Sequence, residues 1–99
     1  SLHDALPISY RTRSYNSAAQ ADLRNLATAQ EAYYVDYQTY YTVPSTTGAG
    51  TIAALEGAAI SENVTVVGDA TTTGYVLSAT HSSGDKTYSI DGPGGVITY

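Results

Sequence analysis

The feature that most constrains the fold of this chain is a long amphipathic pattern that ends in tyrosines, YNSAAQADLRNLATAQEAYYVDYQTYY, from Tyr15 to Tyr41. Its larger side chains recur at steps of three, four or seven residues, apart from two adjacent pairs, and this spacing indicates one face of a helix. Proline disfavours helical backbone in the preceding residue, so Val43 and Pro44 should stop the helix. We therefore predict a helix over residues 10–42. The predicted buried stripe comprises Ala19, Leu23, Leu26, Ala27, Gln30, Tyr33, Tyr34, Tyr37 and Tyr41.

The opposite face of this predicted helix is polar, carries little charge and is interspersed with Ala and Ser. Small uncharged side chains on an outer face allow another helix to approach closely. We expect this face to be exposed; it comprises Asn16, Gln20, Asp22, Asn25, Thr28, Gln38 and Thr39.

The remaining sequence predicts a small antiparallel sheet. The segment 43–60 reads as a loop, PSTTGAG, followed by a short helix, IAALEGA, capped by Thr51 and ended near Gly57. Alternating or β-branched runs follow, separated by turn residues, and HSSGD favours a hairpin. The predicted strands, within a sheet over about residues 62–99, are Asn63–Val67, Tyr75–Thr80, Lys86–Ile90 and Val96–Tyr99.

These elements predict an α+β fold in which one long N-terminal amphipathic helix packs on a three- to four-stranded antiparallel sheet. A single domain should cover residues 10–99. Residues 1–9 show neither the period of a helix nor that of a strand, and we expect them to be an irregular and partly foreign leader.

The composition argues against several classes of function. All ten aromatic residues are tyrosine, which suits half-buried positions where the ring packs and the hydroxyl reaches water or a partner. The net charge of −5 argues against direct nucleic-acid binding. The three arginines all lie within the first 24 residues, so the beginning of the chain is basic and the rest is acidic. Cysteine is absent, which excludes disulfides and thiolate chemistry.

Two segments carry a resemblance to a known family. The pattern Y-R-x-R-x-Y-N-S-A-A-x-x-D-L-R-N-L, from Tyr10 to Leu26, resembles the helix of short bacterial type IV pilins and the related type II secretion major pseudopilins. The segment ENVTVVGDATTTGYVLSATHSSGDKTYSIDGPGG resembles the sheet that follows the helix in such pilins. The resemblance implies that an apolar helical half precedes this chain in the full-length subunit, holds it in the inner membrane and later enters the filament core.

The implied function is that of a structural subunit, a major pilin of a helical type IV pilus on the bacterial surface, serving adhesion, motility or DNA uptake. Its partners would be further copies of itself and the pilus assembly machinery, whereas the 99-residue chain alone should be a monomer. Two alternatives stay open. One is a type II secretion pseudopilin, which acts as a periplasmic piston, and the other is a soluble adhesive or glycan-binding module.

Candidate interface residues lie on the predicted helix. Arg11, Arg13, Asp22 and Arg24 are candidates for ion pairs between subunits, with a solvated face as the alternative. Tyrosines at helical spacing usually pack in a core, but contact with a neighbouring subunit is also open. The tyrosine candidates for that contact are Tyr33, Tyr34 and Tyr37.

We expect no enzyme activity and no cofactor, with calcium as a weak alternative. Ser, His and Asp occur together in HSSGD, residues 81–85, but residues so close in one hairpin turn do not readily converge as a catalytic triad. Calcium requires six to eight oxygen ligands. Its weak candidates are Asp85 and Asp91, which lie in Gly-rich loops.

Overall fold

One helix and six strands make up the part of the chain that the computed structural model describes, which is the backbone of residues 2–99 and the side chains of residues 9–99. In chain order the elements are α1 (Leu2–Tyr37), β1 (Val43–Thr47), β2 (Gly50–Thr51), β3 (Ala59–Ile60), β4 (Val64–Ala70), β5 (Tyr75–His81) and β6 (Thr87–Gly92). The main sheet has the antiparallel order β1-β4-β5-β6, and β2 pairs with β3 separately. The predicted α+β fold is confirmed.

The core lies between α1 and one face of the main sheet. Ala19, Leu23 and Leu26 are fully buried, as their spacing predicted, and α1 packs chiefly on β5 and β6. On β5 the side chains alternate, so that Tyr75 and Leu77 point inward while Val76 is exposed. Each fully buried leucine contributes roughly 1.5–3 kcal/mol through the hydrophobic effect.

Three assignments on the helix faces are wrong. Tyr37 was placed on the buried stripe, yet the residue is 64% exposed. Asn16 and Asp22 were placed on the exposed face, yet both are buried. Both polar side chains have hydrogen-bonding partners in loops around the sheet, so their burial leaves no polar group unpaired.

The predicted irregular leader covers residues 1–9, of which residues 1–8 lie outside the fully described part of the chain, so it stays a prediction. The predicted C-terminal end of the helix is wrong, because the helix ends at Tyr37 rather than near residue 42. Gln38 adopts a left-handed conformation with φ 57° and donates its N–H to the Tyr34 carbonyl at 2.8 Å. This left-handed cap turns the chain back toward the helix before Pro44 is reached.

The segment 43–60 differs from the prediction in two places. Residues 43–47 form strand β1 rather than a loop, and Pro44 is tolerated because β1 is an edge strand of the sheet. IAALEGA is not a helix but a pair of turns, in which Leu55 N–H donates to the Ile52 carbonyl at 3.0 Å. Seven residues are too few to offset helix nucleation, and the turns bury Ile52 and Leu55.

The predicted strand Val96–Tyr99 is reduced to a single bridge. Ser89 and Thr98 exchange two backbone hydrogen bonds, at 2.8 and 2.9 Å, and the surrounding residues do not continue the ladder. Residues 93–97 bend and form no ladder, so the chain pairs with β6 again only at Thr98. The other three predicted strands are confirmed as the cores of β4, β5 and β6, and HSSGD connects β5 to β6 as a hairpin.

Candidate assembly surface

The first exposed surface is the segment 9–14 of α1, which we call the basic arm. Arg11 and Arg13 are exposed, and so is Tyr10, at 68%. The first buried side chain of the described helix is Asn16, which contacts the turn between β5 and β6. That turn is one end of the sheet, so the basic arm extends past the sheet and leaves its two guanidinium groups accessible.

A junction between the helix and the β5–β6 turn supports the arm. Asn16 donates from Nδ2 to Asp85 Oδ1 at 2.6 Å and accepts the Asp85 N–H at 3.1 Å. The rings of Tyr15 and His81 stack with centroids 4.3 Å apart. His81 Nδ1 accepts the Ser83 N–H at 2.9 Å, which closes the turn. His81, Ser83 and Asp85 thus hold the hairpin and do not converge as a nucleophile, base and orienting acid.

Asp22 fastens the middle of α1 to the residue after β3. Its carboxylate accepts the Ser61 N–H at 2.8 Å and the Ser61 hydroxyl at 2.9 Å. Because Asp22 is only 4% exposed, these hydrogen bonds within the chain account for its burial, and its interface role stays a prediction. Arg24, by comparison, is exposed on the body of the molecule beside the sheet.

Six of the ten tyrosines surround the end of the helix and form an inner and an outer group. In the inner group, Tyr34 stacks on Tyr40 at 4.8 Å, and Tyr40 meets Tyr75 edge to face at 5.0 Å. The Tyr40 hydroxyl donates to Glu31 Oε2 at 3.4 Å. Burial, with the charge of Glu31 as the second cause, raises the pKa of Tyr40 and raises the pKa of Tyr75 to about 12. This group fixes the end of the helix on the sheet.

The outer group comprises Tyr33, Tyr37 and Tyr41. The Tyr33 ring lies 4.5 Å from that of Tyr37 and 5.6 Å from that of Tyr41, measured between centroids. Gln30, which is fully buried, holds this region by donating Nε2 to the Tyr41 carbonyl at 2.6 Å and accepting the Tyr41 N–H at 2.8 Å. Tyr33 is half-buried and Tyr37 is exposed, so this group presents aromatic surface to solvent.

Beside the outer tyrosines lies a cleft between the end of α1 and the β2–β3 loop, which we call the acidic cleft. It encloses about 570 Å³. Tyr33, Tyr37 and two carboxylates, Asp36 and Glu56, line it together with four alanines. Both carboxylate side chains are exposed, so the cleft combines aromatic surface with negative charge. A shallower groove of about 510 Å³ lies beside Arg24 and is lined mainly by small and aliphatic residues.

The calcium candidates do not come together. Asp85 precedes β6 and is bonded to Asn16, whereas Asp91 lies at the far end of β6, paired with Val76. Six residues of extended chain separate them by roughly 20 Å. Within residues whose side chains are described, no three His, Cys, Asp or Glu side chains are grouped so that they could hold a metal ion. Calcium binding stays a prediction without support from this geometry.

Gln30 was correctly placed on the buried stripe but without its bonding partner, Asn16 was placed on the exposed face, and His81 was assigned only to a turn, although each is buried and bonded. Their partners lie up to 69 positions away along the chain, and helical periodicity carries no signal for such contacts. A buried amide within an otherwise apolar stripe, as at Gln30, is the one local clue.

Comparison with known proteins places the chain in a family. In the described part of the chain, no helix combines the length and the apolar character needed to cross a membrane. None of the characterised proteins with which the sequence was compared matches it significantly. Residues 8–89 match the family described as type IV minor pilin ComP, DNA uptake sequence receptor. This match spans more than four fifths of the sequence, and the chain therefore belongs to the type IV minor pilin ComP family.

Proposed function

We propose that this chain is the structural part of a subunit that polymerises into a helical type IV pilus on the bacterial surface. The observation that carries the proposal is the long helix. At 36 residues, α1 is as long as the longest dimension of the molecule, 54 Å, whereas the other two dimensions are 24 and 17 Å. Such a helix provides a rod along which copies can stack, and the sheet covers only part of it.

The mechanism follows from the asymmetry of this rod. The basic arm lies at one end of the helix and the acidic cleft at the other, so the two ends of the molecule present different surfaces. Contacts between unlike surfaces are heterologous, and when the rotation between copies does not close they build an open helical filament. Membership of the pilin family supports insertion in the inner membrane before assembly and a surface location afterwards. The activity is structural, with no reaction catalysed.

Whether the subunit is abundant or rare in its filament separates two versions of the proposal. The family description names a minor pilin, whereas the helix pattern from Tyr10 to Leu26 resembles that of short major pilins. Mass spectrometry of filaments sheared from the source bacterium would decide between them, because a major pilin should account for most of the protein. A periplasmic location without surface filaments would instead favour the secretion pseudopilin.

DNA reception is a second candidate, because the matched family is described as a DNA uptake sequence receptor. Affinity for DNA depends mainly on cations that contact phosphates. The chain has four Lys and Arg residues against nine Asp and Glu. We propose that it makes no direct strong contact with DNA. Fluorescence anisotropy with a labelled duplex should show at most weak, sequence-independent binding that salt removes; sequence-dependent binding would make DNA reception the primary function.

The filament proposal is tested by electron cryo-microscopy of the native surface fibres. The expected result is a helical reconstruction into which this fold fits with α1 directed toward the fibre axis. The proposal fails if the full-length protein is found only as a free monomer and the cells carry no fibre that contains it. A monomer that binds glycans in an array would then favour the adhesive module.

A further inference from the structure

Two exposed arginines and two exposed carboxylates lie toward opposite ends of the described part of the molecule. Arg11 and Arg13 are exposed on the basic arm, before the first buried residue of the described helix. Asp36 and Glu56 are exposed at the acidic cleft, beyond the last buried turn of the helix. Opposite charges at opposite ends of an elongated molecule favour head-to-tail approach of two copies.

The cleft also has the chemistry that a guanidinium group requires. A planar guanidinium stacks on tyrosine rings and pairs with carboxylates at the same time. The Tyr33 and Tyr37 rings, with centroids 4.5 Å apart, offer the aromatic surface, and Asp36 offers a carboxylate on the same stretch of helix. The alanines of α1 and of the β2–β3 loop leave an open volume of about 570 Å³, large enough for an arginine side chain.

We infer that the acidic cleft of one subunit receives an arginine of the basic arm of a second copy of this chain. The inference rests on the proposed filament function and names the contact within it. Arg13 and Tyr33 are 20 residues apart, and Arg11 and Asp36 are 25 residues apart. At 1.5 Å per residue the two copies are therefore displaced along the helix axis by roughly 30–38 Å.

This displacement is shorter than the 54 Å length of the molecule, so parallel copies overlap side by side. Arg11 and Arg13 are two positions apart and project about 200° from each other around the helix, so one of them enters the cleft and the other faces away.

Arg24 is the natural comparison for the two arginines of the arm. It is also exposed and also on α1, but it lies against the body of the molecule, beside Ile90 and Val96, rather than on the arm.

The first test is a titration of the isotope-labelled 99-residue chain with a peptide of residues 9–19, SYRTRSYNSAA. NMR resonance shifts should concentrate at Tyr33, Asp36, Tyr37 and Glu56 and should diminish as salt is added. A peptide that carries Arg11→Gln and Arg13→Gln should bind about fivefold to tenfold more weakly. Shifts scattered over the sheet, or shifts that survive the loss of both arginines, would overturn the inference.

Variants of the labelled chain give the reciprocal test. Asp36→Asn and Glu56→Gln keep the size of two exposed side chains, so the fold should be unaffected while peptide binding weakens. The matched control is Asp69→Asn, which removes the same charge from an exposed position on β4 and should leave binding unchanged. Equal weakening by all three variants would show only a general effect of net charge and would refute a specific cleft contact.

A second test uses assembled filaments of the full-length subunit, with cysteines introduced into residues 1–99, which contain none. Arg13→Cys combined with Asp36→Cys should give ladders of covalent oligomers with a short bismaleimide cross-linker, which spans the length of the lost arginine side chain, and Arg11→Cys with Asp36→Cys is the companion pair. The two positions in each pair lie more than about 30 Å apart on one helix, so any short cross-link must join two copies. Arg24→Cys with Asp36→Cys is the control and should give no ladder.

The two experiments separate failure of the contact from failure of the filament. Filaments that form without a ladder from either arm pair, together with a peptide that does not bind the cleft, overturn the contact while the filament function stands. If no filaments form, the proposed function fails and the titration alone decides whether the cleft binds the arm.

Discussion

Asn16 of the helix and Asp85 of the β5–β6 turn hold each other by two hydrogen bonds, at 2.6 and 3.1 Å, across 69 positions of sequence. The contact ties the base of the basic arm to the end of the sheet. Gly84 completes it, because a Cβ atom there would lie 2.4 Å from Asn16 Oδ1. The orientation of the arm thus depends on the side-chain amide of Asn16 and on the absence of a side chain at Gly84.

Replacement of Asn16 should therefore destabilise the fold. We expect Asn16→Ala to lower the free energy of unfolding by about 1–2 kcal/mol, since the Asp85 carboxylate and N–H lose their partner. Chemical denaturation of the 99-residue chain measures this, with Ser17→Ala as the control, because Ser17 is an exposed neighbour on the same helix. Equal stability of the two variants would mean that water replaces Asn16 without cost.

Asp22 should matter for stability rather than for assembly. Its carboxylate accepts two hydrogen bonds from Ser61 in a nearly inaccessible position. Hydrogen bonds to a charged group are worth about 1.5–3 kcal/mol, so Asp22→Ala should cost at least that much in the free energy of unfolding. The exposed Asp36→Ala is the matched control and should cost under about 0.5 kcal/mol. A stable Asp22→Ala variant that fails to form filaments would instead support its predicted interface role.

Gln30 should be the most sensitive polar position of the helix. Its amide is fully buried and satisfies both backbone groups of Tyr41. Gln30→Leu keeps the volume but leaves these two groups without a partner, so we expect a loss of about 2–3 kcal/mol in the free energy of unfolding. The control is Gln20→Leu at a half-buried position of the same helix. If Gln30→Leu is as stable as the unmodified chain, the segment after the helix is held by tyrosine packing alone.

Local periodicity predicted the buried face of the helix and the positions of three strands, because these features depend on residues that are close in sequence. The spacing of Ala19, Leu23 and Leu26 located the buried face, since side chains three and four residues apart share one side of a helix. β-branched runs and turn residues located β4, β5 and β6. The exposed arginines became candidate interface residues through the resemblance to pilins rather than through periodicity, and their contact with another subunit stays a prediction.

What the sequence did not predict depends on long-range contacts or on rare backbone conformations. Gln38 ends the helix with φ 57°, a left-handed conformation that glutamine seldom adopts and for which the sequence carries no signal. Pro44 suggested a loop, and only the position of β1 at the sheet edge explains why a strand forms there. The acidic cleft combines residues of α1 with Glu56 of the β2–β3 loop, so it exists only once the chain has folded.

Alkaline pH should lower the free energy of unfolding, because Tyr75 packs at the end of the helix with a raised pKa. Burial, reinforced by the charge of Glu31, raises the pKa of Tyr75 from 10.0 to about 12 in the folded chain, so folding favours the protonated ring. The stabilising effect is complete below pH 10 and is lost as the pH rises toward about 12, because the unfolded chain then releases a proton that the folded chain keeps. Denaturation midpoints measured across this range should fall. Tyr75→Phe should flatten the decrease, whereas Tyr10→Phe, at an exposed position, should leave it intact; a decrease unaffected by Tyr75→Phe would assign the effect to other groups.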